Sequence, residues 1–146
     1  MNNDVNIILH EIISIWHNIE ESRRPWGMWI CENHPIIDCQ LLDVRFTNNP
    51  KKVWFCDRGK LISKSLEEYR RFYYVQIVRP WCSRSWGENS SIFGNKDSFG
   101  LVYFASLVNC DRYYLTWQFG HLWGEGFTFK IDRQRKIVTR QVVFIS

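Results

Sequence analysis

Phe127-Thr128-Phe129-Lys130-Ile131 sets three apolar side chains on one side of an extended chain and a threonine and a lysine on the other. Strict alternation of this kind is the mark of a strand with one face on a core and one in water. The same character runs outward in both directions: Leu101–Val108, a turn at Asn109-Cys110-Asp111, Tyr113–Phe119, a glycine-rich turn at Gly120–Gly126, then Asp132-Arg133-Gln134 and Lys136–Ile145. Consecutive strands joined by short turns make an antiparallel meander with one wet face.

The beginning of the chain has a different period. Val5, Ile8, Leu9, Ile12, Ile15, Trp16 and Ile19 recur at spacings of three and four, while Asn6, His10, His17 and Glu21 fall on the other side, so residues 4–21 read as an amphipathic helix. Asn3 or Asp4 can cap its start, and Arg23-Arg24-Pro25 places favourable charge and then a stop at its end. The helix is expected to lay its apolar stripe across the dry face of the meander. The fold class is α+β: an N-terminal helix packed on a curved antiparallel sheet, in one domain over residues 1–146.

Between these ends, Met28–Cys31, Ile36–Phe46 and Lys52–Cys56 have strand character, broken by Asn48-Asn49-Pro50 and by a turn at Asp57-Arg58-Gly59. Ser65–Phe72 reads as a short second helix with Ser63 or Ser65 as cap and carboxylates in its first turn, and Tyr73–Val78 as another strand. From Trp81 to Gly100 the chain is serine, glycine, asparagine and charge, punctuated by Trp81, Trp86, Ile92, Phe93 and Phe99. A connection of that length is longer than a compact domain ordinarily needs, which points to function.

The composition narrows the function classes. No apolar run is long enough to span a membrane, and the start Met1-Asn2-Asn3-Asp4 lacks the features of a secretory signal, so a cytoplasmic location is expected. The five cysteines, Cys31, Cys39, Cys56, Cys82 and Cys110, form no C-x-x-C pair and read as buried free thiols, and no cofactor or metal is expected. Net charge is +4, yet residues 1–44 carry −5 and the remainder +9, an asymmetry suited to steering a charged partner. Eight tryptophans are an unusual load, and Trp is enriched at binding surfaces as well as in cores, so a functional use of some of them is expected.

No constellation carries recognisable catalysis. Gly120–Gly126 lies between strands and lacks the Lys-Ser or Lys-Thr of a phosphate loop, and His10 and His17 stand seven residues apart on one helix, about 10.5 Å by helix rise, too far for a shared zinc. His121, Glu125 and the pair Cys110-Asp111 supply acid, base and thiol without a motif to join them. The basic residues Lys130, Arg133, Arg135, Lys136 and Arg140, with Arg70, Arg71, Arg79 and Arg84, read as a solvated face before a nucleic-acid patch, since no RNA-recognition signature accompanies them.

An N-terminal helix, a polar tryptophan-bearing loop in mid-chain and an aromatic meander ending Val142-Val143-Phe144-Ile145-Ser146 together resemble small immunity proteins of bacterial contact-dependent inhibition and related polymorphic toxin systems. The resemblance implies a non-enzymatic protein that binds a cognate toxin. The expected contacts are Trp81, Arg84, Trp86 and Phe93 in the loop, with Glu20, Glu21, Glu32, Asp38 and Asp43 answering a basic toxin surface. Two other readings keep the same fold class: a small-molecule-binding or enzymatic domain with a cone-shaped sheet around a pocket, resembling the nuclear transport factor superfamily, and a module for single-stranded nucleic acid.

Overall fold

The computed structural model describes residues 3–21, 24–36, 47–78, 99–108, 112–119, 123–132 and 137–145. They form helix α1 (Asn3–Asn18), strands β1 (Gly27–Glu32), β2 (Lys52–Asp57) and β3 (Lys60–Ser63), helix α2 (Leu66–Tyr73), and strands β4 (Phe99–Ser106), β5 (Arg112–Phe119), β6 (Trp123–Asp132) and β7 (Ile137–Ile145). The seven strands make one sheet in the order β3-β2-β1-β4-β5-β6-β7. The chain is of the α+β class that its two periodicities imply.

The C-terminal meander is present as four antiparallel strands in sequence order. β1 runs parallel to β4, with Trp29 beside Leu101 and Cys31 beside Tyr103, so the sheet is mixed at that one seam. A parallel neighbour requires a crossover, and here it is supplied by β2, β3 and α2, which follow β1 and return the chain to its other side.

Helices lie on both faces. Ile8, Leu9, Ile12 and Trp16 of α1 pack with Met28, Ile30, Val102, Phe104, Leu115, Trp117 and Phe129, the inward residues of β1, β4, β5 and β6. Each large side chain fully buried here contributes roughly 1.5–3 kcal/mol. On the opposite face, Tyr69 and Phe72 of α2 pack with Trp29, Cys31, Val53, Leu101, Tyr103 and Tyr114. The wet face expected of the meander is therefore dry along β4 and at Tyr114 and Thr116 of β5, because both sets of alternating side chains there are buried.

Local details follow their residues, with exceptions. Ser65 caps α2, its hydroxyl accepting from the Glu68 N–H at 3.1 Å. Asp4 lies inside the first turn of α1 and accepts a hydrogen bond from the buried Tyr113 hydroxyl at 3.0 Å, so it ties helix to sheet and does not precede the helix as a cap. Residues Tyr74–Val78 are not a strand: they prolong α2 as one π-helical turn, because Tyr69 and Phe72 already anchor the helix on the sheet and the chain continues from it. Gly124, Glu125 and Gly126 belong to β6 and not to a turn, and a bulge at Gly126/Phe127 absorbs the irregularity against β7. Of Ile36–Phe46, Ile36 makes a single parallel bridge to Leu107, and the rest lies outside the described residues.

Candidate protein-binding corner

One corner of the molecule gathers aromatic rings, cations and carboxylates from three distant parts of the chain. α1 ends at Asn18, and residues 19–21 and 24–25 lie against that end. Arg24 holds them there: its Nη2 donates to the carbonyls of His17 at 2.7 Å and Ile19 at 3.0 Å, and its guanidinium lies 4.7 Å from the centre of the Trp16 ring. A cation over the last carbonyls of a helix satisfies acceptors that have no partner within it. Trp16 in turn donates its indole N–H to the Pro25 carbonyl at 3.0 Å, which fixes where β1 begins.

The β2–β3 hairpin closes the corner. Arg58 and Gly59 both have positive φ, 52° and 84°, the backbone of a two-residue type I′ turn. The Arg58 N–H donates to the Trp26 carbonyl at 3.2 Å, and its guanidinium stacks 4.3 Å from the Trp26 ring centre. Gly59 is pressed against the helix end: a Cβ there would stand 2.7 Å from the His17 ring and 3.1 Å from Trp16. His17 meets Trp16 edge to face, with ring centres 5.0 Å apart.

Glu20 and Glu21 are exposed, as are His17 and Arg58, while Trp26 is half-buried. Among the described residues neither Glu20 nor Glu21 is ion-paired. β3, the terminal strand of the sheet, starts directly after Gly59, with Leu61 39% and Ile62 40% exposed.

Glu32 does not join this group. It stands at the far end of β1, about 16 Å away by strand rise, half-buried and in register with Lys52. The acidic side chains of the first third therefore do not form one patch. Trp81, Arg84, Trp86, Phe93, Asp38 and Asp43 lie outside the described residues, as do Cys39, Cys82, Cys110 and His121, and of Glu125 the backbone alone is described. Trp26, Arg58 and the β3 edge had no signal in the sequence, because nothing local brings residue 26 to residue 58.

A second polar cluster lies buried under α2. The Tyr69 hydroxyl is 2.8 Å from the Thr47 carbonyl and 2.8 Å from the Tyr103 hydroxyl, and it also bonds the Cys31 thiol. Burial pushes the Cys31 thiol far up, against the smaller opposing pull of the Tyr69 hydroxyl, and burial likewise raises the Tyr69 phenol. A neutral thiol with no exposed surface is a core group and not a nucleophile. The free thiol Cys56 is buried on the α1 face.

Among the described residues, no three His, Cys, Asp or Glu side chains converge as metal ligands, and no helix is long and apolar enough to cross a membrane. Compared with known proteins, the chain matches no family model, no curated protein and no solved structure.

Proposed function

We propose that this chain is a protein-binding domain acting in the cytoplasm as an immunity protein that neutralises a cognate bacterial toxin. The observation that carries the reading is the corner itself: Arg58 stacked on the half-buried Trp26, the exposed Glu20 and Glu21 with no ion pair among the described residues, and the hairpin turn that leads into the terminal strand β3. Trp and Arg are the residues that dominate binding energy at protein interfaces, and pre-stacked pairs lose little freedom when covered. Glu20 and Glu21 offer negative charge to a basic surface and quicken encounter with it. The loop residues Trp81, Arg84, Trp86 and Phe93 extend the proposed contact.

The test is co-expression with the toxin domain encoded beside this gene, followed by titration of the two purified proteins. The expected result is survival of the host cell and a stable complex. Glu20→Lys with Glu21→Lys should slow association most at low salt, and Trp86→Ala should weaken the complex without lowering the melting temperature. A cell that dies regardless, with no complex formed, overturns the reading.

A further inference from the structure

We infer that Arg58 is the anchor of the corner: on the face of Trp26 it holds its guanidinium ready for a bidentate pair with one carboxylate of the bound protein. The inference rests on the binding reading above and names the chemical group that the partner brings.

Arg58 occupies a position that folding alone would give to another residue. A two-residue turn with positive φ at both central positions is made most easily by Asn-Gly, Asp-Gly or Gly-Gly. Gly59 follows that preference, and Arg58, with φ at 52°, departs from it. The left-handed region strains an L residue with a long side chain, and asparagine or glycine would sit there with less strain. Strained backbone persists where its surroundings hold it, and it gathers at functional sites.

What the turn keeps in place is the guanidinium. The Arg58 N–H bonds the Trp26 carbonyl at 3.2 Å and the guanidinium lies 4.3 Å from the Trp26 ring centre, yet 66% of the side chain is exposed. A guanidinium over a ring keeps its N–H donors at its rim, so the stack fixes its place and leaves the fork open. Among the described residues its one ion-pair partner is Asp57, whose Oδ1 stands 3.6 Å from Nε, beyond hydrogen-bond length and on one flank. No hydrogen bond among the described residues engages either Nη.

The charges around it favour a protein carboxylate over a phosphate chain. Glu20, Glu21 and Asp57 share the corner, while Arg24 is taken up by the end of α1. A nucleic-acid backbone repeats its negative charge at every step, and it would meet three carboxylates with one uncommitted arginine. A protein surface can set a single aspartate or glutamate among basic residues. Arg58 then takes the acid while Glu20 and Glu21 take the bases.

The experiment measures melting temperature, and affinity for the purified toxin domain encoded beside this gene, in wild type, Arg58→Asn and Arg58→Lys. Arg58→Asn should melt no lower than wild type, and up to roughly 3 °C higher, because asparagine relieves the turn. The same variant should bind the toxin domain roughly thirtyfold more weakly, the loss expected of an interface hot spot. Arg58→Lys should stay at least roughly fivefold weaker than wild type, because an ammonium is a point charge without the fork. Each aspartate and glutamate on the toxin surface is then changed to its amide against wild type and Arg58→Asn, and one of these changes should lose its effect once Arg58 is gone. No such coupling, or unchanged affinity in Arg58→Asn, overturns the proposal and leaves the binding reading intact. A melting temperature several degrees lower with affinity kept makes Arg58 a structural residue and overturns it too. Full recovery by lysine overturns the bidentate pair. Binding of a single-stranded oligonucleotide by wild type that is lost in Arg58→Asn gives Arg58 to a phosphate and overturns the carboxylate. No complex between wild type and the toxin domain overturns the binding reading together with this anchor.

Discussion

The hydroxyls of Tyr69 and Tyr103 lie 2.8 Å apart in the layer between α2 and the sheet, and their roles are not equal. Tyr69 has one proton, which goes to the Thr47 carbonyl, a group that can only accept. Tyr103 must therefore be the donor between the two. Tyr69→Phe leaves the Tyr103 hydroxyl and the Thr47 carbonyl without this partner, at a cost of about 2–3 kcal/mol. Tyr103→Phe removes a donor from an oxygen that keeps its own bond, and costs about 1 kcal/mol. Urea denaturation of the two variants decides it, and equal losses would show that the assignment is wrong.

Stability should fall in alkali. A thiol and a phenol ordinarily ionise near pH 9.0 and 10.0, and burial raises both Cys31 and Tyr69 above those values in the folded chain. The unfolded state then binds fewer protons than the folded one at high pH, so unfolding free energy declines as pH rises. The contribution is complete below pH 9 or so and is lost above it, by up to about 1.4 kcal/mol per pH unit for each group. Urea midpoints should hold from about pH 8 to about 9 and then fall progressively to about pH 10.5, and a profile flat throughout would contradict the burial of these groups.

Much of this architecture is written in local pattern. The threefold and fourfold spacing from Val5 to Ile19 marks α1, Ser65 with Glu68 marks the start of α2, and Phe127 to Ile131 marks the meander, because in each case one face must leave water. β3 is silent for the complementary reason: Lys60, Leu61, Ile62 and Ser63 are all exposed, so no periodicity betrays a strand that buries no face. Strand order is silent too, since nothing near Trp29 announces Leu101 as its neighbour. The corner inherits that silence. Trp26 meets Arg58 through the β1–β2 pairing, and His17 meets Gly59 through the packing of α1 on the sheet.

Arg24 should matter more than a surface arginine. Its two hydrogen bonds to the end of α1 and its stacking on Trp16 act together, and removing them frees two carbonyls and the segment that carries Glu20 and Glu21. Arg24→Ala is expected to cost about 1–2 kcal/mol. Arg24→Lys should recover less than half of that, because a single ammonium cannot reproduce the planar fork that spans two acceptors while it stacks. Thermal melts of both variants test this, and full recovery by lysine would reduce the role of Arg24 to its charge.

Gly59 couples the hairpin to the helix, and its two constraints can be separated. With φ at 84° it occupies a backbone region costly for any L side chain, and a Cβ would also overlap the His17 ring at 2.7 Å. Gly59→Ala should therefore destabilise by about 2–3 kcal/mol, of which roughly 1 is backbone strain. His17→Ala alone removes an exposed ring and its contact with Trp16, and should cost less than about 1 kcal/mol. Combined, the two substitutions should be less damaging than their sum, because the ring that the new methyl would strike is gone while the positive φ remains. Chemical denaturation of the wild type, the two single variants and the double variant gives the coupling energy directly. A coupling of zero would mean that the turn moves away from α1 at no cost, and that the hairpin is not held against the corner by this contact.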